Sequence, residues 1–298
     1  MNGERAMKEN VRPKDSMKYS VLMPVYNKEN PHNFYQAAVS MMEQTVALDE
    51  FVLVCDGPLT EELEQKISRI EKEWPGILKP LRLPTQGGIS HALAVGVKTC
   101  RNELIARMDS DDIASPDRCE KQLRLFKEQM GKNDRFALAS GAIAEFQESP
   151  EHITGIRKLP CKYEEILAFA RSRNPMNHMA VMMRRSAVLA VGNYHPIRGA
   201  EDYELWVRLL QAGYLAANLP DILVYARTDN GMIGRRGGLA YAKAAVMLQR
   251  RFYRSGFLSL HQYLTNCAVR VTASLMPESL RRMLYQRKLR NKMKEELF

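Results

Sequence analysis

The stretch ELIARMDSDDIASPDR, residues 103–118, sets three carboxylates, Asp109, Asp111 and Asp112, at the end of the apolar run Leu104–Met108. Like charges this close repel one another and resist desolvation, so they require a cation, a set of donors or open water. Asp-x-Asp with a third acid beside it is a hard-oxygen set suited to Mg2+ or Mn2+. Mg2+ is seldom caged by protein alone; one or two carboxylates hold it together with the phosphates of a substrate. A metal-linked nucleotide diphosphate meets that requirement. Other polar side chains stand at comparable places: Asn27 after the first apolar run, Asp56 after the second, and the adjacent acids Glu201 and Asp202 opening a helical pattern. Taken singly, Asn27, Asp56 or the acidic loop reads as a helix cap sooner than as a site, and Asp56-Gly57-Pro58 has turn chemistry.

The order of elements turns these separate groups into a candidate site. YSVLMPVYN (19–27) and FVLVCDG (51–57) are apolar without strict alternation, the pattern of strands buried on both faces. LKPLRL (78–83) and ELIARM (103–108) supply two more strands. Helical patterns lie between them. Asn30 is an N-cap with Pro31 behind it, followed by Phe34, Ala38 and Met41 at helical spacing. Thr60 opens a second helix with Leu63, Ile67, Ile70 and Trp74 on one face, and Pro75 ends it; SHALAVGVKTC is the third. This repetition predicts an α/β fold on a doubly wound, mainly parallel sheet. Ligands of such sheets bind outside the carboxyl ends of the strands, and Asn27, Asp56 and the acidic loop all fall there. Farther along, Cys119, Leu123, Phe126 and Met130 mark a packing helix and RFALASGAIAEFQ a strand. MNHMAVMMRRSAVLAVGNY reads as strand, short helix and turn, and RGAEDYELWVRLLQAG as a helix burying Leu205, Trp206, Leu209 and Leu210. DILVYAR is a last strand before the glycine-rich loop TDNGMIGRRGG, which carries Arg235 and Arg236.

Composition narrows the class. The five cysteines are scattered with no CxxC pair, which argues for a reducing cytosol and against a zinc site or disulfide framework. The N-terminal residues are polar and lack the apolar core of a signal peptide, and no uncharged stretch is long enough to span a bilayer. Of the net charge of +10, residues 238–298 hold +9, with twelve Lys/Arg and three Asp/Glu. The body is balanced and the tail is basic, an asymmetry that marks a surface-binding appendage. A balanced body with converging acids disfavours nucleic acid, whose phosphates that face would repel.

Taken in order, the motifs resemble those of the family 2 glycosyltransferases with the GT-A fold, among them the bacterial capsular and exopolysaccharide transferases of the amylovoran type, over roughly Tyr19–Tyr241. SVLMPVYN is similar to the first-strand nucleotide motif, implying that Pro24, Val25 and Tyr26 line the uracil with Asn27 close by. VCDGP sits where the family has a doubled Asp followed by Gly-Ser; Asp56 matches the base-contacting acid, whereas Cys55 and Pro58 depart. QGGISHALAVG resembles the glycine turn beside the donor, with Gly88 as its glycine. ARMDSDD is similar to the DxD signature, which implies Arg107 and Asp109 on the nucleotide side, and Asp111 with Asp109 on the metal, Mn2+ or Mg2+. GAEDYELWVRL resembles the acceptor-side ED motif, making Asp202, or else its neighbour Glu201, the catalytic base. His178, in NPMNHMAVMMRR, either borders the acceptor or is a satisfied core histidine. Arg235 and Arg236 either close over the phosphates or are solvated loop charges.

The resemblance implies inverting transfer from a nucleotide-diphosphate sugar, a UDP-hexose, to a polyprenyl-diphosphate-linked saccharide. Processive members carry QxxRW after the catalytic acid; QRRFY at 249–253 only echoes it, which favours single addition. The expected layout is a flexible segment 1–17, a catalytic domain 18–237 with a nucleotide half (18–115) and an acceptor half (116–237), and a basic amphipathic helical tail 238–298. In the tail, Tyr285, Leu289, Met293 and Leu297 share one helical row. Such a helix either folds onto the domain or lies on the anionic inner face of the cytoplasmic membrane, which would make the protein cytoplasmic and peripheral. Two rival classes stay open: a metal-dependent sugar nucleotidyltransferase, though PVYNKENPHN lacks the glycine-rich loop such enzymes use, and a non-enzymatic basic adaptor for membrane or nucleic acid.

Overall fold

In the computed structural model, residues 17–197, 199–228 and 238–277 are described. Four strands build a parallel half-sheet: β1 (Tyr19–Val25), β2 (Glu50–Cys55), β3 (Leu78–Arg82) and β4 (Leu104–Arg107). They lie in the order β3-β2-β1-β4 and are joined by α1 (Pro31–Met42), α2 (Glu61–Glu73) and α3 (Ile89–Thr99). The local signals act as read. Asn30 Oδ1 accepts from the backbone N–H groups of His32 and Asn33, and Thr60 Oγ1 from that of Leu63, so both helices start on satisfied caps. Pro80 cannot donate to a ladder, and β3 is the edge strand of the order.

The side chains of β1 alternate between two cores. Tyr19, Val21, Met23 and Val25 meet Phe34 and Met41 of α1, Leu63 and Ile67 of α2, and Phe126 of α4 (Arg118–Met130). Leu22 faces the other way, into a layer containing Leu93 and Val97 of α3 and Trp206 and Leu209 of α7 (Glu201–Gln211). The result is a sheet covered by helices on both faces. Gly96 makes the close approach of α3 possible, because a Cβ there would lie 3.0 Å from Val54 Cγ2 and closer still to Leu22 Cδ1. Gly96→Ala is therefore expected to lower stability by about 1–3 kcal/mol through overpacking, read as a reduced denaturant midpoint at unchanged slope.

Beyond β4 the sheet takes in antiparallel pairs as well. β8 (Met182–Arg184) runs antiparallel to both β4 and β6 (Phe136–Phe146). β9 (Leu215–Arg227) returns parallel to β6, the two-residue β5 (Ile113–Ala114) pairs antiparallel with β9, and β7 (Ile153–Arg157) folds back on β6. For β7 the physical reason is connection length: the six residues between Phe146 and Ile153 suffice for a hairpin but not for the crossover that a parallel neighbour needs. β9 also extends farther than DILVYAR suggested, taking in Leu215–Pro220.

Two more helices, α8 (Leu239–Arg254) and α9 (Leu260–Leu275), form a hairpin behind α7. Leu248, Phe252 and Leu258 of this hairpin pack with Tyr203 and Val207 of α7. The loop bearing Arg235 and Arg236, the segment 1–16 and the helical row of residues 278–298 lie outside the described residues.

Candidate active site

Charged groups at the two ends of the parallel strands differ in how completely they are matched. At the amino ends, Glu50 is buried, yet Ser20 Oγ (2.6 Å), the Arg101 N–H (2.5 Å) and Lys79 Nζ (3.2 Å) all reach it. Burial would raise its pKa, but these donors outweigh that and hold it below the ordinary carboxylate value. At the carboxyl ends the match is uneven, and burial leaves two acids with raised pKa, Asp111 and Asp112.

The β4–β5 loop carries them. Arg107, 1% exposed, donates from Nη2 to Asp109 Oδ1 at 2.5 Å. Its Nε and Nη1 are buried without a hydrogen-bond partner among the described residues. Ser110 Oγ donates to Glu29 Oε2 at 2.6 Å, bringing the loop after β1 alongside. Asp111 is pushed up to about 7, by burial first and then by the charges of Asp109 and Glu29, while its own N–H and Arg107 pull the other way. Asp112 has a different task. It is 3% exposed and its Oδ1 accepts from the Arg227 N–H at 2.7 Å, stitching the loop to the end of β9. Arg227 completes the stitch with its side chain, donating to Asp111 O and to Gln36 Oε1 at 3.1 Å each. From below, Arg118 Nη2 donates to the Arg107 carbonyl at 2.6 Å; this buried guanidinium is satisfied by carbonyls and by Gln122 rather than by an acid.

Asp56, 5% exposed, accepts from the N–H of Gly87 at Oδ1 (2.7 Å) and of Gly88 at Oδ2 (2.9 Å). It thereby ties the β2 turn to the start of α3, and each oxygen keeps one lone pair for another donor. Gly57 (φ 86°) is required in that turn, since a Cβ would come within 2.9 Å of Gln86 N. Pro24 and Val25 end β1, and Tyr26 (37% exposed) and Asn27 stand out from it at the same edge of the sheet.

The second acid group sits at the start of α7. Asp202 Oδ1 accepts from the Tyr203 N–H at 2.7 Å and Oδ2 from Asn174 Nδ2 at 2.5 Å, leaving the carboxylate 17% exposed. Burial raises its pKa against those two hydrogen bonds and Arg107. Glu201 Oε2 is buried with no partner among the described residues, and its pKa is raised by burial and by Asp202. His178 Nε2 lies 2.9 Å from Tyr194 Oη, and its ring stands edge-on to Trp206. Burial, and next the charge of Arg107, keep His178 well below the ordinary histidine pKa. The ring is neutral at pH 7, so the 4.0 Å approach of its Nδ1 to Asp202 Oδ2 is a polar contact and not an ion pair.

Arg107 is where the halves meet: its charge acts on Asp109, Asp202 and His178. The acids of the β4–β5 loop and those that open α7 thus share one electrostatic environment. Asn174, Glu29 and Arg227 are additions the sequence reading did not contain. Asn174 opens the segment NPMNHMAVMMRR, and an Asn before Pro at that place is the signal that was available. Among the described residues no group of three His, Cys, Asp or Glu closes round an ion. The hard-oxygen set Asp109–Asp111, with one cation, Arg107, paired to Asp109 and the Asp111 carboxyl raised by burial and by Asp109, fits a divalent ion that completes its shell with substrate phosphates.

The sheet order, the switch of strand direction after β4 and the acids at the carboxyl edge together form the frame of a ligand site at a topological switch point. The comparisons carry this further: the model of glycosyl transferase family 2 matches residues 20–190. The chain is 36% identical over 272 residues to the amylovoran biosynthesis glycosyltransferase AmsE of Erwinia amylovora, spanning 90% of this chain and 98% of that protein. It is 33% identical over 278 residues to the Escherichia coli UDP-Gal:alpha-D-GlcNAc-diphosphoundecaprenol beta-1,3-galactosyltransferase, spanning 93% and 98%. Among solved structures, the mannosyltransferase PcManGT from Pyrobaculum calidifontis, in complex with GDP-Man and Mn2+, matches with a TM-score of 0.62 at 16% identity, covering 90% of this chain and 79% of that one; at that identity the fold is what is shared. The chain belongs to glycosyl transferase family 2. That membership decides against the nucleotidyltransferase and adaptor readings. The matched residues contain Asp56, the acidic loop and His178 but end before Glu201 and Asp202.

Proposed function

We propose that this protein is an inverting, single-addition transferase that moves a hexose from a UDP-sugar to a hydroxyl of a polyprenyl-diphosphate-linked saccharide. The carrying observation is that Arg107 links Asp109 of the donor-side loop to the environment of Asp202. The catalytic unit is 18–237, and it works at the inner face of the cytoplasmic membrane, where a lipid-linked acceptor is presented. The UDP and lipid-diphosphate assignments draw on the Escherichia coli relative, whose name states both.

Asp202 takes the acceptor proton. Asn174 and the Tyr203 N–H hold both oxygens in place, and burial strengthens the carboxylate as a base toward working pH. Neutral His178 contributes shape and a polar contact beside Asp202. Asp109 and Asp111 would hold Mn2+ or Mg2+, which when bound supplies charge neutralisation for the departing diphosphate. Asp56, with the Gly87–Gly88 turn, shapes the base pocket with Pro24, Val25, Tyr26 and Asn27. The echo of the processive motif is engaged elsewhere: Gln249 is buried in α8 and accepts from Asn266 of α9, which supports single addition.

The test is thermal. UDP with Mn2+ at about a hundred times its Kd should stabilise the fold by about 2.7 kcal/mol, whereas ATP with Mn2+ should do little. Release of UDP from a panel of UDP-hexoses then identifies the sugar. A larger response to ATP, or to UDP equally with and without the ion, would overturn the donor assignment.

A further inference from the structure

Residues 238–277 hold five cations, Lys243, Arg250, Arg251, Arg254 and Arg270, and no Asp or Glu. They also hold seven of the ten large hydrophobic side chains exposed among the described residues: Leu239, Met247, Tyr253, Leu260, Leu264, Val269 and Leu275. Apolar side chains scattered singly over a surface need no explanation, but this concentration in one helical hairpin does. It is ordered by face. On α9 the outward positions are Leu260, His261, Leu264, Thr265, Ala268, Val269, Thr272, Ala273 and Leu275, with no charged residue among them. On α8 the exposed row runs Ala240, Lys243, Met247, Arg250, Arg254. Arg250, Arg251 and Arg254 line a shallow basin with Met247 and Ser255 at the end of that helix.

Neither helix is long and apolar enough to cross a membrane. A face without charge beside a row of cations is what a helix lying in the bilayer interface requires. Packed helices run 8–10 Å apart, so long α8 arginines reach headgroups level with the α9 face. Tyr253 and Tyr263, stacked at 5.2 Å between the helices, add amphipathic rings near the turn.

We infer that the α8–α9 hairpin is the protein's docking surface for an anionic lipid bilayer, with the uncharged α9 face against the acyl boundary and Lys243, Arg250 and Arg254 on the headgroups. Charge complementarity selects this occupant: a patch of cations with no acid suits phospholipid phosphates better than a second copy of itself. The inference rests on the membrane-surface reading above and places it within the described residues. It also gives the surface a purpose. Arg270 and Asn266 of α9 donate to the carbonyls of Ser172 and Arg171, in the loop that leads to Asn174 and so to Asp202. Phe252 of α8 packs edge-on against Tyr203, the neighbour of Asp202. The element on the bilayer is the one that buttresses the catalytic acid, so docking sets the height of the site above the lipid.

The test is co-sedimentation of the full chain with phosphatidylcholine vesicles, with and without phosphatidylglycerol. Wild type should partition onto the anionic vesicles and be released by high salt. Arg250→Ala/Arg254→Ala should weaken that partition roughly thirtyfold, and Leu264→Glu/Val269→Glu at least about tenfold. All four sites are exposed, and an undiminished UDP/Mn2+ thermal shift in each variant will show the fold and donor site intact. Loss of that shift in wild type would count against the donor reading alone. Binding unaltered by both double variants, no binding by wild type, or a dimer in solution that Leu264→Glu/Val269→Glu dissolves would each overturn the hairpin assignment.

Discussion

Asp202→Asn should lower the transfer rate by about two to four orders of magnitude, the usual worth of a positioned base, while leaving the UDP/Mn2+ thermal shift near that of wild type. The carboxylate accepts two hydrogen bonds, from Asn174 Nδ2 and from the Tyr203 N–H. Asparagine can keep the second but turns an amide donor toward Asn174, whose own Oδ1 is engaged by the Met176 N–H at 3.2 Å. That donor–donor conflict costs about 1–2 kcal/mol, so Asp202→Ala belongs beside it as a variant free of the clash. Both should fall in kcat more than they rise in KM. Burial raises the pKa of Asp202, so the acid limb of the wild-type rate profile should lie above the ordinary carboxylate range. Rate is lost as pH falls through that value, and both variants should lack the limb. Collapse of donor binding in both would move Asp202 to the donor site or the fold; a larger loss from Glu201→Gln would make Glu201 the base.

The site was partly legible in the sequence because its chemistry-bearing residues sit where local patterns end. Strands 19–25, 50–55 and 104–107 were visible as apolar runs, and the rule for ligands at carboxyl ends then gathered Asn27, Asp56 and the acidic loop without any contact information. What stayed hidden depends on partners far along the chain. Arg227 stitches Asp112 across a separation of 115 residues, and Ser110 meets Glu29 across 81. Neither leaves a periodic trace. β5, two residues long, exists only because β9 offers it a partner. The second half of the sheet leaves less trace: β7 returns on β6 through a six-residue connection, and β5 and β8 take their direction from partners far along the chain. Arg118 shows the limit most clearly: nothing in the local pattern singles it out, yet it is a buried guanidinium holding up the strand that carries Arg107.

Asp111→Asn should act in opposite directions with and without the donor. Within the fold the Asp111 carboxyl is pushed up to about 7, by burial first and then by Asp109 and Glu29. A folded-state pKa above the unfolded one means that the fold favours the protonated form. The stability that this carboxyl contributes is therefore full below about pH 4, declines as pH rises toward about 7, and stays lost above. Asparagine carries no charge to desolvate. At pH 8 without metal the variant should melt roughly 3–8 °C above wild type, and the gap should close as pH is lowered toward 4. With UDP and Mn2+ the order should reverse, because wild type gains the ligand's stabilisation and the variant has lost a metal-side carboxylate. Its affinity for UDP in the presence of Mn2+, read by calorimetry, should drop at least about tenfold, a typical loss when a metal site is perturbed. Affinity for UDP without the ion should hardly change. Unchanged Mn2+-dependent affinity would remove Asp111 from the metal. A variant that melts below wild type at pH 8 without metal would mean that its carboxylate is a structural acceptor, as Asp112 is.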